Sequence, residues 1–425
     1  VQVIVAGGGI GGCALALSLR AAGIRDVVVI EAVPEVRELG VGINLLPHAV
    51  RELDELGLLA ELEAVAVATG TLAYHNRFGQ RIWAEPRGRA AGYAWPQLSI
   101  HRGELLAVLH RATVERLGAD RYRTGHRVVG VSQRGGRVSV AVAAPDGTAL
   151  DPLEGDVVVG CDGVHSALRA LLHPGEGPPL WNGVTMWRGT TVAPPFLDGR
   201  TMVMAGVLAH RVVVYPIRDL PDGRQLVNWV AEQRTDDGRP VPRQDWDAAA
   251  ELTEIAPVVD PFRFDWLDVA SLVASAGQVL RYPMVDRDPL ASWGQGHVTL
   301  LGDAAHPMYP VGSNGASQAI LDARVLAHAL ALEPTVEHAL AVYEAERRPA
   351  TAAVVLANRQ AGPERCMEEA ARRAPDGFAD LSEVFAPGEI ERWVADYRRT
   401  AGFDPEALAR RSSLSVDIQP RGEST

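Results

Sequence analysis

The chain has 425 residues, 47% apolar and 22% charged, which suits two or three globular domains and excludes a disordered or fibrous protein. Lys and Arg total 41 against 53 Asp and Glu, and a net charge of −12 argues against a nucleic-acid partner. Cys13, Cys161 and Cys366 are odd in number, far apart and without a CxxC pair, which argues against a disulfide framework or a structural zinc.

Val1–Ala6 is a β-branched run ended by glycines and predicts a buried parallel strand. Ile10–Ala22 predicts a helix stopped by Gly23, and Asp26–Glu31 (DVVVIE) a second strand, together a right-handed βαβ unit. The opening residues resemble a signal peptide only superficially, because a basic leader is missing and the glycines suit a phosphate loop. No other apolar run reaches the ~18 residues of a membrane span, so the expectation is a cytoplasmic protein without a membrane partner.

Further along, the pattern predicts a helix over Pro47–Glu63, strands within Thr71–Trp83 and a helix over Arg102–Leu117. Strands Arg123–Ser132 and Arg137–Ala144 flank the turn Gly135-Gly136, and Asp156–Gly160 is another buried strand. Met186–Trp229 holds β-rich segments typical of an antiparallel sheet. Thr299–Gly302 is a late strand, followed by a helix from about Ser313 to Leu332. Everything after Pro334 is predicted helical, with a break near Pro349 and a loosely held tail from Ser412.

Gly7–Gly12 (GGGIGG) satisfies G-x-G-x-x-G: Gly7 permits the turn, Gly9 the approach of a pyrophosphate, and Gly12 close packing of helix on strand. The helix opening at Ile10 and Gly11 turns free N–H groups toward phosphates. Glu31, nineteen positions beyond Gly12, stands where a carboxylate accepts from ribose hydroxyls.

That motif alone does not separate NAD from FAD. Leu300–Pro307 (LLGDAAHP) is a strand entering a sharp turn, with Asp303 placed to accept from a ribityl chain. Pro310–Gly315 (PVGSNG) then opens a helix whose positive end suits negative charge on a reduced flavin. Two helix N-termini, one for pyrophosphate and one for a ring, favour FAD.

With these motifs in order, the chain resembles the class A flavoprotein monooxygenases, the group of 4-hydroxybenzoate and salicylate hydroxylases. The signatures are Gly7–Gly12 with Glu31, Gly160–Gly163 (GCDG) with Ser166 and Arg169, and Gly302–His306 (GDAAH). Segments Leu39–Asn44, Ser99–Leu105, Met186–Gly189, Tyr282–Leu290 and Asn314–Asp322 resemble the phenazine-carboxylate branch. Cys161 stands where the family more often has alanine.

The resemblance implies an α/β fold: a Rossmann-like FAD-binding domain (GR2-type), an inserted, mostly antiparallel β-sheet substrate domain, and a helical C-terminal segment. The expected division is 1–70, 98–175 and 276–345 for FAD, 71–97 and 176–275 for substrate, and 346–425 for the C-terminal helices. It also implies that Arg102 reaches the pyrophosphate or ribityl, and that Gly42 and Ile43 line the isoalloxazine. Val128 would offer backbone to the adenine, Asp303 would hold the ribityl and ribose region, and Ala32 would also belong to the cofactor site. Gly312, Asn314 and Gly315 would border the pyrimidine edge, and Asp162 belongs to a motif linked to FAD and nicotinamide.

As the family implies, NADH or NADPH reduces FAD, O2 forms a C4a-hydroperoxyflavin, and a planar aromatic ring is hydroxylated, with decarboxylation where the attacked carbon bears a carboxylate. No protein nucleophile is expected, although His306 and Pro307 are candidates for a catalytic role. Trp187, Met204, Tyr215, Trp229, Met308 and Tyr309 are candidates to line an aromatic slot. No His, Asp or Glu set has metal spacing. The expected partner is a small aromatic molecule, the protein itself being a monomer or homodimer. A reductase or dehydrogenase on the same fold, and a non-catalytic flavin-binding partner protein, remain alternatives at this point.

Overall fold

The computed structural model describes residues 1–36, 40–235 and 248–416, and the statements below concern those residues. Leu39 of the Leu39–Asn44 segment lies outside them, as does the tail beyond residue 416. Strands Val298–Leu300, Val157–Gly160, Gln2–Ala6, Asp26–Ile30 and Tyr122–Arg123 lie side by side in that order, all parallel. Their valines and isoleucines are buried on both faces, as a sheet covered by helices on each side requires. Helices Ile10–Ala21 and Gly315–Leu332 pack together there; Leu15, Leu17, Leu19, Ile320 and Leu326 are buried in the shared core.

The second unit is a sheet of seven described strands, ordered Val279–Asp286, Leu180–Ala193, Gln225–Arg234, His210–Asp219, Thr201–Val207, Thr71–His75 and Arg81–Pro86. Pairing is antiparallel except between Thr201–Val207 and Thr71–His75. Its two faces bury different cores, because side chains alternate along each strand. A small sheet of Gly42–Leu45, Gln97–His101 and Ala66–Thr69 stands beside it. The Gly42 N–H donates to Asn228 Oδ1 at 2.6 Å, and the Gly42 carbonyl accepts from Arg188 Nη2 at 2.6 Å. One residue of the small sheet is thereby gripped by two strands of the large one.

Several expectations need correction. The helix predicted over Pro47–Glu63 is two helices, Pro47–Glu55 and Leu59–Val65. Gly57 has φ 72° and Leu58 N–H reaches back to the Leu53 carbonyl at 2.9 Å, a left-handed stop that the apolar period hides. The strand predicted over Arg123–Ser132 is also two: the chain leaves the parallel sheet at Arg123 and resumes at Arg127 in a separate antiparallel sheet.

The break expected near Pro349 does not occur, and Val336–Arg359 is one helix. Proline in a helix interior costs about 3 kcal/mol. Here Arg347, two residues earlier, donates to Asp322 at 2.7 Å and to Gln318 at 2.6 Å, and the Thr351 hydroxyl donates to the Arg347 carbonyl at 3.0 Å. The Arg347 bonds tie the turn before the proline to the neighbouring helix, and the Thr351 hydroxyl spans the proline within its own helix. An expected domain boundary at 345/346 falls inside this helix, and Val279–Asp286, expected in the FAD unit, is a strand of the large sheet. The segment 412–416 is docked as well: Ser413 and Ser415 hydroxyls donate to Glu55, and the Leu414 carbonyl pairs with His328.

Candidate functional site

A cavity of about 840 Å³ runs between the two units, within the roughly 300–1,000 Å³ usual for ligand sites. Its nucleotide end is backbone. Gly7, Gly9, Ile10 and Gly11 line it, and a Cβ on Gly9 would meet nothing within 4 Å, so the loop's open side faces the cavity. Gly12 does not line it; a side chain there would collide with the Gly7 carbonyl, which is the packing role its spacing predicted. Glu31, Ala32 and Val128 line the same end. Both Glu31 oxygens are already used, accepting from Gly8 N at 2.8 Å and Val33 N at 3.0 Å, so the carboxylate first shapes the glycine loop.

Asp162 also lines the cavity, but its carboxylate is turned to its own helix, accepting from Ser166 Oγ at 2.5 Å and Ala167 N at 2.7 Å. Burial raises its pKa against the pull of those donors. Arg169, fully buried, donates from Nη1 to the carbonyls of Ala304 and Ala305 at 2.9 and 2.8 Å. The second and third signatures are thus one structure, with Arg169 bolting the Gly160 turn to the Gly302 turn.

Arg102, Asp303, Gly42 and Ile43 converge on the middle of the cavity. The deep setting of Asp303 raises its pKa, opposed by the charges of His306 and Arg102; desolvation lowers that of Arg102, opposed by Asp303. An acceptor and a cationic donor facing one cavity suit a ligand bearing both hydroxyl and phosphate groups. Backbone of Ser313, Asn314 and Gly315 lines the far wall. Asn314 presents no side chain to it, since Nδ2 donates to the Tyr397 hydroxyl at 2.9 Å and to the Gly312 carbonyl at 3.1 Å. Gly312 lies behind this wall, against the Tyr397 ring.

His306 does not line this cavity. It is 4% exposed, its Nε2 lies 2.5 Å from Asp322 Oδ2, and its ring packs on Trp293. Burial raises the pKa of Asp322, but His306 and Arg347 outweigh it and hold the carboxylate below its ordinary value. Pro307, likewise buried, does not line the cavity.

At the large sheet, strand parity decides which candidates face the cavity. Met186 and Arg188 on one strand, Met202 and Met204 on another, and Val213 and Tyr215 on a third point inward. Trp187 and Trp229 fall on the alternate positions and are buried in the opposite core with Val203 and Val214. Of the six candidates, Met204, Tyr215 and Met308 line the cavity; Trp187, Trp229 and Tyr309 do not. Tyr309 instead sits beside Asp286, with its phenol pushed up to about 12 by burial and by that carboxylate. Sequence reasoning missed Met186, Arg188, Met202, Arg211, Glu232 and Tyr282. Period-two alternation carried the signal, but register was needed to use it.

A parallel sheet ending in a glycine loop, joined through one cavity to an antiparallel sheet, has the layout of a two-unit dinucleotide-binding enzyme. The family described as FAD binding domain matches residues 1–358, and the chain belongs to it. Phenazine 1,6-dicarboxylic acid hydroxylase PhzS of Lysobacter antibioticus is 46% identical over 391 residues, covering 90% of this chain and 95% of that protein. 3-Hydroxybenzoate 6-hydroxylase of Klebsiella oxytoca is 30% identical over 374 residues, covering 85% and 88%. The fold matches a salicylate hydroxylase substrate complex with TM-score 0.73, at 24% identity and 98% coverage of each chain. The protein is an FAD-dependent aromatic monooxygenase that uses NAD(P)H and O2. No described helix is long and apolar enough to cross a membrane.

Proposed function

We propose that the protein hydroxylates a flat heteroaromatic carboxylate of the phenazine type, with FAD lying from the glycine loop to Gly42. The observation that carries this reading is the inward face of the large sheet, where Met186, Met202, Met204, Val213, Tyr215 and Leu280 form an apolar wall around Arg188. Arg188 lies beside Tyr282 and Tyr215, and its Nε is buried without a partner. Its Nη2 is taken by the Gly42 carbonyl, but the guanidinium still brings a positive charge to an otherwise apolar wall, which suits an anionic substituent on an apolar ring. The kinship with a phenazine dicarboxylate hydroxylase supports the same class.

Bound FAD supplies the redox and oxygen-activating chemistry. Gly7, Gly9, Ile10 and Gly11 receive the pyrophosphate with backbone, Glu31 and Ala32 border the ribose, and Val128 the adenine. Arg102 and Asp303 hold the phosphate and polyol. Gly42 and Ile43, with the backbone of Asn314 and Gly315, would hold the ring system. The methionines and Tyr215 position the substrate and exclude water, which protects the activated oxygen from wasteful decay.

The test is a panel of phenazine carboxylates and hydroxybenzoates, followed by stopped-flow flavin reduction, NAD(P)H consumption and mass spectrometry of products. Phenazine carboxylates should speed flavin reduction and give hydroxylated product, with or without loss of the carboxylate. Efficient turnover of hydroxybenzoates alone would overturn the substrate class.

A further inference from the structure

The cavity wall formed by Pro310, Ser313, Asn314 and Gly315 has an unusual backbone. Gly312 and Ser313 are successive left-handed residues, with φ 67° and 59°. For serine that conformation costs on the order of 1–2 kcal/mol, and it persists only where neighbours over-determine it. The neighbour is Tyr397, in the C-terminal helix Glu389–Thr400, 5% exposed.

Its hydroxyl accepts from Asn314 Nδ2 at 2.9 Å. Its single proton faces Asn358 Oδ1 at 2.7 Å and the Val311 carbonyl at 3.2 Å. Asn358 in turn donates to the Tyr309 carbonyl at 3.0 Å. The ring rests where Gly312 and Gly362 have no side chains; a Cβ on Gly362 would lie 2.9 Å from it. One tyrosine therefore fixes the loop from Tyr309 to Asn314, which immediately precedes the helix Gly315–Leu332. The first N–H groups of that helix have no acceptor within it and carry its positive end.

We propose that Tyr397 is a positioning residue: it aims the backbone donors of Asn314 and Gly315, and so sets how strongly the site favours the reduced, anionic flavin over the oxidised one. The proposal rests on the reading that this cavity holds FAD. It makes the C-terminal helix part of the redox unit, although no residue of that helix lines the cavity.

Tyr397→Phe keeps the ring and removes the hydroxyl. With FAD bound, its preference for the reduced form should weaken about tenfold, equal to about 30 mV for a two-electron couple. Product per NAD(P)H should fall while FAD content stays near that of the parent. Asn358→Ala, which removes the acceptor of the Tyr397 proton together with the donor to the Tyr309 carbonyl, should shift the potential in the same direction by less. Tyr93→Phe removes another hydroxyl that holds the C-terminal segment, at the Phe403 carbonyl, and should lower Tm without moving the potential. An unshifted potential and normal coupling in Tyr397→Phe overturn the proposal; should that variant be insoluble, an unshifted Asn358→Ala does so. A parent protein that neither carries nor takes up flavin sinks the cavity reading and this proposal with it.

Discussion

The parallel sheet and the large antiparallel sheet wall the same cavity in opposite ways. At the parallel end the wall is main chain, opened by glycines, and almost any side chain would fill it. At the antiparallel end the wall is every second side chain, and the main chain is occupied with its own ladder. The first wall is fixed by local spacing and admits one kind of ligand group; the second is set by register and is free to vary with substrate.

That contrast is sharpest where a single methyl is added. Gly12→Ala places a Cβ against the Gly7 carbonyl, backbone on backbone with no side chain to give way. It should cost about 1–3 kcal/mol or more and abolish flavin retention, read as loss of yellow colour and a large drop in Tm. Asp303→Ala removes a polar group but no backbone, and should weaken FAD binding by roughly 1.5–3 kcal/mol, a ten- to hundredfold rise in Kd by apoenzyme titration. Normal flavin occupancy there would displace Asp303 from the site.

On the other wall, Arg188→Met should raise KM for an aromatic carboxylate about tenfold or more with FAD content retained. An equal effect on a carboxylate-free analogue would show that Arg188 shapes the wall without pairing with the substrate. Acid offers a comparison of both units. His48, buried on Phe403 beside the parallel unit, has its pKa pushed down from 6.5 to about 3 by burial; His75, in the large sheet, is pushed down to about 4 by burial. Each binds its proton more readily unfolded, so each holds full stability above pH 6.5 and loses it as pH falls, until the folded pKa is reached. The slope approaches about 1.4 kcal/mol per pH unit per group. His48→Phe should flatten Tm against pH between 6.5 and 3, and an unchanged profile would assign the acid sensitivity elsewhere. The smallest effect is expected for Trp187→Phe, which faces the opposite core: a modest loss of Tm and an unchanged KM.

The two walls also differ in how much of them could be read from sequence. Gly7–Gly12, Glu31, Arg102 and Asp303 carry their geometry in their spacing or in motifs attached to strand ends, and the cavity gathers all of them except Gly12, whose place is inside the packing. In the large sheet, aromatic content drew attention to Trp187 and Trp229, whereas their neighbours Met186, Arg188 and Val230 face the cavity. A one-residue shift in phase exchanges the faces, and no local signal sets it. Asn314 shows a third limit: its place in the wall was legible, but Tyr397, 83 residues away, decides where its side chain goes. Gly57 and Pro349 misled for a related reason, because caps and tertiary bonds override the apolar period.

The order of strands in the parallel sheet has a consequence for biosynthesis. Gly7 and Asp303 serve one pocket, yet the ribosome makes them nearly three hundred residues apart. At about 5–20 residues per second, the amino-terminal half of the pocket waits roughly 15–60 s for its complement. The edge of Gln2–Ala6 that will receive Val157–Gly160 stays open for part of that interval, a period in which chaperone capture or mispairing competes with cofactor uptake.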